Sequence, residues 1–289
     1  MSKEYCGFIG LDLDGTVFNN EKIIPEENRL AIIEAIENGY CVAPVTGRPM
    51  CGVPKELMDI PGIEYVIASN SAVIYQVEDF ANHKWTRIHE DLLEDEKVLE
   101  VLELLEAYPV VPDCFVEGTG HMPLKGREMI PNMGLAPAMA NYLLGGREFF
   151  PDLKEYVRQE DKQVEKITIN FYLNDEGIKQ KQAVYEKLSQ VKDITLVSGA
   201  PHNLEVNTLT ARKGTGLLKL AQLLGIPAEK TMACGDDSND LDMIQKAAFG
   251  VAMENASEKV KEAADFITLS NEKSGVAHAI REFRRRMER

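Results

Sequence analysis

Short apolar runs alternate with amphipathic stretches toward both ends of the chain, and the alternation breaks in the middle. Phe8-Ile9-Gly10-Leu11 is an unbroken apolar run, which predicts a buried strand over Cys6–Leu13. A tight hairpin is expected around Asn19-Asn20. The spacing of Leu30, Ile33 and Ile36 predicts a helix from about Glu26 to Asn38, with those side chains inward and Gly39 as its stop. Strand Cys41–Thr46, a short helix near Pro54–Met58 and strand Tyr65–Ala68 continue the pattern. It resumes with helix 213–224, strand Thr231–Cys234, helix 238–248, strand Phe249–Val251, helix Glu258–Ala264 and a last helix from Val276. Strands that alternate with helices pair in parallel through right-handed crossovers, so the chain reads as α/β.

Candidate chemistry sits where the apolar runs stop. Asp12-Leu13-Asp14-Gly15-Thr16 closes the first strand, and its two carboxylates would face one side of the sheet's carboxyl edge if Leu13 is still extended. Open α/β sheets bind ligands at that edge. Like charges so placed need a cation or a shared proton, so the pair suggests a metal site, an acid–base pair, or a nucleophile beside its acid. A solvated turn is the plain alternative. A second acidic cluster, Gly235-Asp236-Asp237-Ser238-Asn239-Asp240, follows another strand and weakens that alternative. Together the two junctions would supply the hard oxygen donors that suit Mg²⁺. Thr46-Gly47-Arg48-Pro49 ends a third strand, and Lys213 stands at a helix start, where its charge opposes the helix dipole. Hydroxyl, lysine, backbone N–H groups and Mg²⁺ would together bind a dianionic phosphate.

Spacing argues for an inserted domain. Asp12 and Thr46 are 34 residues apart, room for a hairpin and one helix, but Thr46 and Lys213 are 167 apart. That is far more than one or two strand–helix units require. The insertion is placed at 81–202, between core segments 1–80 and 203–289, and is expected to be α/β itself. Its elements are a strand near Trp85–Ile88, helix Glu94–Ala107, strand Val110–Val116, strand Lys166–Leu173, helix Gly177–Gln190 and strand Ile194–Val197.

These pieces, in this order, resemble motifs I to IV of the haloacid dehalogenase-like (HAD) superfamily. Motif I is similar to residues 12–16, motif II to Thr46, motif III to Lys213 and motif IV to residues 235–240. Glu205-Val206 before the lysine, Phe249-Gly250-Val251-Ala252-Met253 with Asn255-Ala256, and Asp265-Phe266-Ile267-Thr268 with Ser270-Asn271 resemble the Cof-type, subfamily IIB, phosphatases. The likeness covers residues 5–80 and 203–285, and the middle matches loosely. It implies a Rossmannoid core with a parallel sheet and a C2B-type α/β cap between motifs II and III. The chain departs from the pattern at Asn70-Ser71-Ala72, where Asn-Gly-Ala is common. It departs again at Thr210 and Arg212, where a Gly and a Ser usually precede the lysine.

The resemblance also implies roles. Asp12 is the nucleophile that takes the phosphoryl group, and Asp14 the acid and then the base, which needs an Asp14 carboxyl raised relative to that of Asp12. Mg²⁺ would be held by Asp12, the Asp14 backbone carbonyl and Asp236, with Asp240 behind them or acting through water. Thr46, Gly47, Lys213 and Asn239 would contact the phosphoryl oxygens. Asp237 reads as a solvated loop residue and Arg48 as a core ion-pair partner. The implied activity is Mg²⁺-dependent hydrolysis of a small phosphorylated metabolite, a sugar phosphate or phosphorylated cofactor, with the cap closing over it. A phosphomutase or phosphotransferase would use the same aspartate, and a non-catalytic binding protein would keep only the fold. Cap residues Glu117, His121, Lys125 and Arg127 are candidates for substrate contact, though a solvated surface explains them equally well.

Composition narrows the partners. With 32 Lys and Arg against 47 Asp and Glu, the net charge of −15 argues against nucleic acid and anionic membranes. Arg284-Arg285-Arg286 then reads as the solvated end of a helix. No run approaches the ~18 apolar residues of a membrane span, and the first residues do not read as a signal peptide. The five cysteines, Cys6, Cys41, Cys51, Cys114 and Cys234, lack metal spacing and read as structural in a reducing cytoplasm. A monomer or weak homodimer is expected.

Overall fold

The computed structural model describes residues 4–159, 162–198 and 202–288, folded as two compact units. One comprises the chain up to Arg48, Val53–Glu90 and the chain from Arg212 onward; the other comprises Pro49–Gly52 and Asp91–Ala211. Among the described residues, no helix is long and apolar enough to cross a membrane.

The first unit is built on a five-stranded parallel sheet in the order Phe266–Ile267, Phe249–Ala252, Thr231–Gly235, Gly7–Leu11, Tyr40–Pro44. Its three central strands are buried along their whole length, which is why their sequences run apolar without alternation. Parallel neighbours need a return path, and the helices Glu26–Glu37, Leu241–Lys246 and Glu258–Ala263 provide three of them. A parallel bridge from Val45 to Ile67 leads on to an antiparallel meander of Tyr65–Ala68, Val73–Asp79 and Lys84–Glu90. The sequence reading places a strand near Trp85–Ile88 inside the insertion. In the structure that strand pairs with Val73–Asp79, an element the reading does not contain, and so it belongs to the first unit.

Helix Glu26–Glu37 is turned from its expected orientation. Asn28, Ala31, Ile32 and Ala35 are its buried residues, whereas Leu30 is 53% exposed. The C-terminal helix Gly275–Met287 packs against it, and the small alanines allow close approach. Asn28 Oδ1 accepts from the Ala277 N–H at 3.0 Å across that contact. Hydrophobic spacing along one helix does not reveal which face a neighbouring helix will claim.

The second unit is a six-stranded sheet in the order Ile194–Val197, Asn203–Thr208, Val164–Asn170, Val111–Val116, Thr119–Pro123, Arg147–Phe150. It is antiparallel except for its last pair. Val98, Val101, Leu102, Leu105, Val184 and Leu188 of helices Asp95–Leu105 and Asp175–Leu188 cluster with Val164, Ile167, Ile169, Leu204 and Val206. Each such side chain contributes about 1.5–3 kcal/mol of burial. Glu117 and Gly118, with φ of 51° and 74°, form a two-residue hairpin whose left-handed backbone matches the twist of its strands. Glu205 is buried here, ion-paired with Lys166 at 2.6 Å.

Candidate active site

The chain leaves the parallel sheet at the carboxyl ends of three adjacent strands, after Leu11, Pro44 and Gly235. Leu13 lies in a turn, so the condition that would send Asp12 and Asp14 the same way is not met. Asp12 points inward and is 6% exposed, while the Asp14 side chain is 42% exposed.

Asp12, Asp236 and Asp240 each offer a carboxylate oxygen, and the three oxygens lie within 4.8 Å of one another. Lys213, the first residue of helix Lys213–Leu223, sits among them. Its Nζ donates to Asp12 Oδ1 at 2.6 Å and to Asp240 Oδ1 at 2.5 Å. The other Asp240 oxygen accepts from the Asp236 and Asp237 N–H groups at 2.9 and 3.0 Å, so Asp240 holds both the loop and the lysine. Asp237 is exposed and accepts from the Ser238 N–H, a capping role. Thr16 Oγ1 donates to Asp236 Oδ1 at 3.1 Å. Gly15 has φ of 83°, and a Cβ there would lie 2.3 Å from Asp236 Oδ2, so only glycine fits.

Three carboxylates face one ammonium, and their proton affinities follow. Burial, then the charge of Asp240, pushes Asp12 well above the usual carboxylate range against the pull of Lys213. The same two causes raise Asp236 to about 7. Lys213 is raised too, because the charges of Asp12 and Asp240 outweigh the burial that would lower it. At Asp14, burial pulls upward, but the hydrogen bonds and charges of Arg48 and Lys22 win and hold it at about 2. The sequence reading, with a metal at Asp12, ranks Asp14 above Asp12. In the protein by itself the order is reversed, because burial and Asp240 outweigh Lys213 at Asp12, whereas Arg48 and Lys22 outweigh burial at Asp14.

Thr46 is buried; its N–H donates to the Ile67 carbonyl and its Oγ1 accepts from the Arg48 N–H at 3.1 Å. Gly47 follows in the same loop, and Asn239 is half-buried in the turn Ser238–Asp240. Asp12, Lys213, Asp236 and Asp240 thus meet directly, with Thr46, Gly47 and Asn239 on loops of the same sheet edge.

The Thr46–Arg48 loop is braced by a strained turn. The Asn70 N–H donates to the Thr46 carbonyl and the Ser69 N–H to the Arg48 carbonyl. Ser69, Asn70 and Ser71 all have left-handed φ, at 52°, 58° and 80°. Ser71 stands where the resembling family has glycine, and this backbone costs a residue with a Cβ about 1 kcal/mol. Among the described residues its buried Oγ also has no hydrogen-bond partner. The departure is therefore paid in stability. Arg212 caps the helix of Lys213 through its carbonyl, which accepts from the Thr215 and Gly216 N–H groups, and Thr210 Oγ1 lies 3.5 Å from Thr208 Oγ1.

Several contributors escape the sequence reading. Lys22 binds Asp14 at 2.7 Å; Arg48, expected as an ion-pair partner, binds the same carboxylate at 2.7 Å. Asn255 Nδ2 donates to the Gly15 carbonyl at 2.9 Å, and its Oδ1 accepts from the Asn271 N–H. Asn271 Nδ2 donates in turn to the Phe18 carbonyl. Both asparagines lie in stretches that carry the family resemblance, and no signal in the sequence pairs them with a loop more than two hundred residues away. Among the cap candidates, His121 is a packed core residue. Its ring stacks on Tyr156 with centroids 4.7 Å apart, Nδ1 lies 3.3 Å from the Cys114 carbonyl, and burial lowers its pKa. Arg127 lies over the Phe149 ring at 4.6 Å, Glu117 sits in the hairpin, and Lys125 precedes helix Gly126–Met129. Arg284 pairs with Glu34, and Arg285 and Arg286 with Glu282.

A parallel α/β sheet that gathers carboxylates and a lysine at its carboxyl edge is a frame for group transfer, and comparison with known proteins narrows the class. A family model described as haloacid dehalogenase-like hydrolase matches residues 9–280. Phosphatase YwpJ of Bacillus subtilis is 32% identical over 292 residues, covering 94% of this chain and 98% of that protein. The 5-amino-6-(5-phospho-D-ribitylamino)uracil phosphatase YcsE of the same organism is 29% identical over 273 residues, covering 94% of each. The solved structure of a haloacid dehalogenase-like hydrolase from B. subtilis superposes with a TM-score of 0.77 at 30% identity, covering 95% of this chain and 99% of that one. The chain belongs to the haloacid dehalogenase-like hydrolase family.

Proposed function

We propose that the protein is a Mg²⁺-dependent phosphatase that hydrolyses a small phosphorylated metabolite through an aspartyl-phosphate on Asp12. The observation that carries the reading is the buried meeting of Asp12, Asp236 and Asp240 around Lys213. The donors fit a hard divalent cation: all are oxygens, and the raised proton affinities of Asp12 and Asp236 mark a site short of positive charge. Asp12, Asp236 and the Asp14 backbone carbonyl would hold it, with Asp240 behind, since both Asp240 oxygens are already engaged. Bound there, Mg²⁺ supplies positive charge to the phosphoryl oxygens.

An oxygen of the Asp12 carboxylate attacks phosphorus as the ester P–O bond breaks, and the leaving oxygen takes a proton from Asp14, which must give up the Arg48 and Lys22 bonds that hold it ionised in order to carry one. Asp14, now a carboxylate, then removes a proton from the water that attacks the aspartyl-phosphate. Phosphate leaves, and both aspartates regain their starting states. Lys213, Thr46 and Asn239 offset the charge on the transferring group, and Gly47 lets the loop approach it. The names of the relatives support the same reading: one is a phosphatase, and the other is a phosphatase of 5-amino-6-(5-phospho-D-ribitylamino)uracil, a small phosphorylated molecule.

The test is phosphate release from a panel of sugar phosphates, polyol phosphates and phosphorylated cofactors, with Mg²⁺ and with EDTA. Release that requires Mg²⁺ is the expected result. Isomerisation of a hexose phosphate without net release would replace hydrolase with mutase, and full activity in EDTA would remove the metal from the scheme.

Stability offers an independent check. Stripped of divalent cations, the folded protein holds protons on Asp236 and Asp12 that the unfolded chain has already released above about pH 4. Stability should therefore fall as pH rises from about 4 toward 7. Asp14 acts the opposite way, but its contribution is complete above about pH 4 and is lost only as pH falls toward 2. Mg²⁺ should raise Tm by at least ~3 °C near pH 7 and by less near pH 5, where protons compete for the same oxygens. Asp113, pushed up to about 6 by burial, adds to the slope from the second unit, so Asp236→Asn isolates the share of the site. A Mg²⁺ effect equal at both pH values would contradict the assignment.

A further inference from the structure

Lys213 is the first residue of helix Lys213–Leu223, at the end where a cation opposes the helix dipole. Arg212, the residue before it, makes no capping hydrogen bond with its side chain. The side-chain cap comes from another helix. Asp242, in Leu241–Lys246, accepts from the Gly214 N–H through Oδ2 at 3.1 Å. The two segments approach so closely that a Cβ on Gly214 would lie 2.4 Å from the Asp242 carbonyl oxygen. Lys246 Nζ lies 3.0 Å from Asp242 Oδ1 and donates to Thr215 Oγ1 at 3.2 Å, which ties the same two helices a second time. Two residues before Asp242, Asp240 holds the Lys213 ammonium and the Asp236 and Asp237 N–H groups. One short segment thus grips the lysine twice, at its ammonium through Asp240 and at the backbone beside it through Asp242.

We infer that Asp242 is a positioning residue for Lys213: it supplies the N-terminal side-chain cap that Arg212 does not, and so fixes where the lysine backbone stands relative to Asp12. The inference rests on the proposed contact of Lys213 with the phosphoryl group and deepens it. A lysine carries its charge on a flexible four-carbon stem, so the 2.6 Å bond from Nζ to Asp12 is only as well placed as the helix start that bears it. A carboxylate suits this post better than a neutral cap, because its charge offsets the cost of a cation at a helix N-terminus. Without Asp242 the first turn loosens. The ammonium keeps its acids within reach but loses a fixed position, and a misplacement of about 1 Å can cost ~10² in rate.

The experiment measures kcat/KM with Mg²⁺, at a temperature where every variant is folded, on p-nitrophenyl phosphate or the fastest ester of the panel above. Asp242→Ala should lower it by about tenfold or more. Asp242→Asn, whose amide oxygen can still accept from Gly214, should keep most of it. Adding Arg212→Ser to Asp242→Ala restores a cap at the ordinary place, and the rate should rise again by at least about threefold. Positioning is separated from support of the fold in the background Lys213→Met/Asp240→Asn, which has no lysine to place. There Asp242→Ala should still lower Tm but change the residual rate by less than about twofold. A tenfold fall in that background too would mean that Asp242 supports the whole site, and the inference is overturned. If the background loses rate and Asp242→Ala in the wild-type chain does not, the positioning role fails while that of Lys213 stands. If the background itself keeps the wild-type rate, the role of Lys213 fails and the positioning role with it.

Discussion

Asp12→Asn should lower turnover by at least ~10³ while leaving the protein as stable as the wild type or more so. The amide keeps the shape of the side chain, and its oxygen can still accept from Lys213, which now lies 2.6 Å from Asp12 Oδ1. It cannot attack phosphorus as a carboxylate does, so the covalent route closes. The gain in stability has a separate cause. Asp12 is buried against Asp236 and Asp240 with a single ammonium among the three, and burial together with Asp240 already drives its carboxyl toward the protonated form. The neutral amide avoids that repulsion without taking up a proton, so Tm without metal near pH 7 should hold or rise. Phosphate release and thermal melting on one preparation check both halves. A variant that keeps a tenth of wild-type turnover would remove Asp12 from the nucleophile's place, and a clear fall in Tm would show that the repulsion is not felt.

Lys213→Met should do the reverse, losing stability and rate together. The methionine keeps much of the apolar stem but leaves Asp12 and Asp240, each under a tenth exposed, without their shared cation. Breaking a buried pair from one side costs about 3–5 kcal/mol, because a charge is stranded in low dielectric. Loss of a donor to the transferring phosphoryl group should cost a further ~10²–10³ in rate. The double variant Lys213→Met/Asp240→Asn separates the two effects. Removing the stranded charge should return part of the stability, since the groups are in contact and couple, while the rate stays low. Denaturant unfolding and kcat for the set of variants decide the matter. Recovery of the rate in the double variant would mean that Lys213 serves only to neutralise Asp240.

Much of this architecture is legible in one dimension, and for definite reasons. Central strands such as Gly7–Leu11 and Thr231–Gly235 are buried on both faces, so their runs are continuous and end abruptly at the carboxyl edge, where chemistry collects. The acids and the lysine stand at such ends, and their order along the chain carries the family. Strands in the middle of the chain are harder to see. Thr119–Pro123 and Arg147–Phe150 are short and lie in stretches rich in glycine, proline and methionine, where neither the two-residue nor the helical period emerges.

Taken alone, the sequence determined which residue types could perform the chemistry and at which strand ends they stand, because both follow from local pattern. Tertiary structure decided their partners. Turning at Leu13 separates Asp12 from Asp14, so one carboxylate meets two other acids and the other meets Arg48 and Lys22. The Lys213 ammonium reaches Asp12 across 201 residues of sequence, and Asn255 reaches Gly15 across 240. Proton affinity and orientation depend on such neighbours, and neighbours brought together by chain folding leave no trace in local spacing.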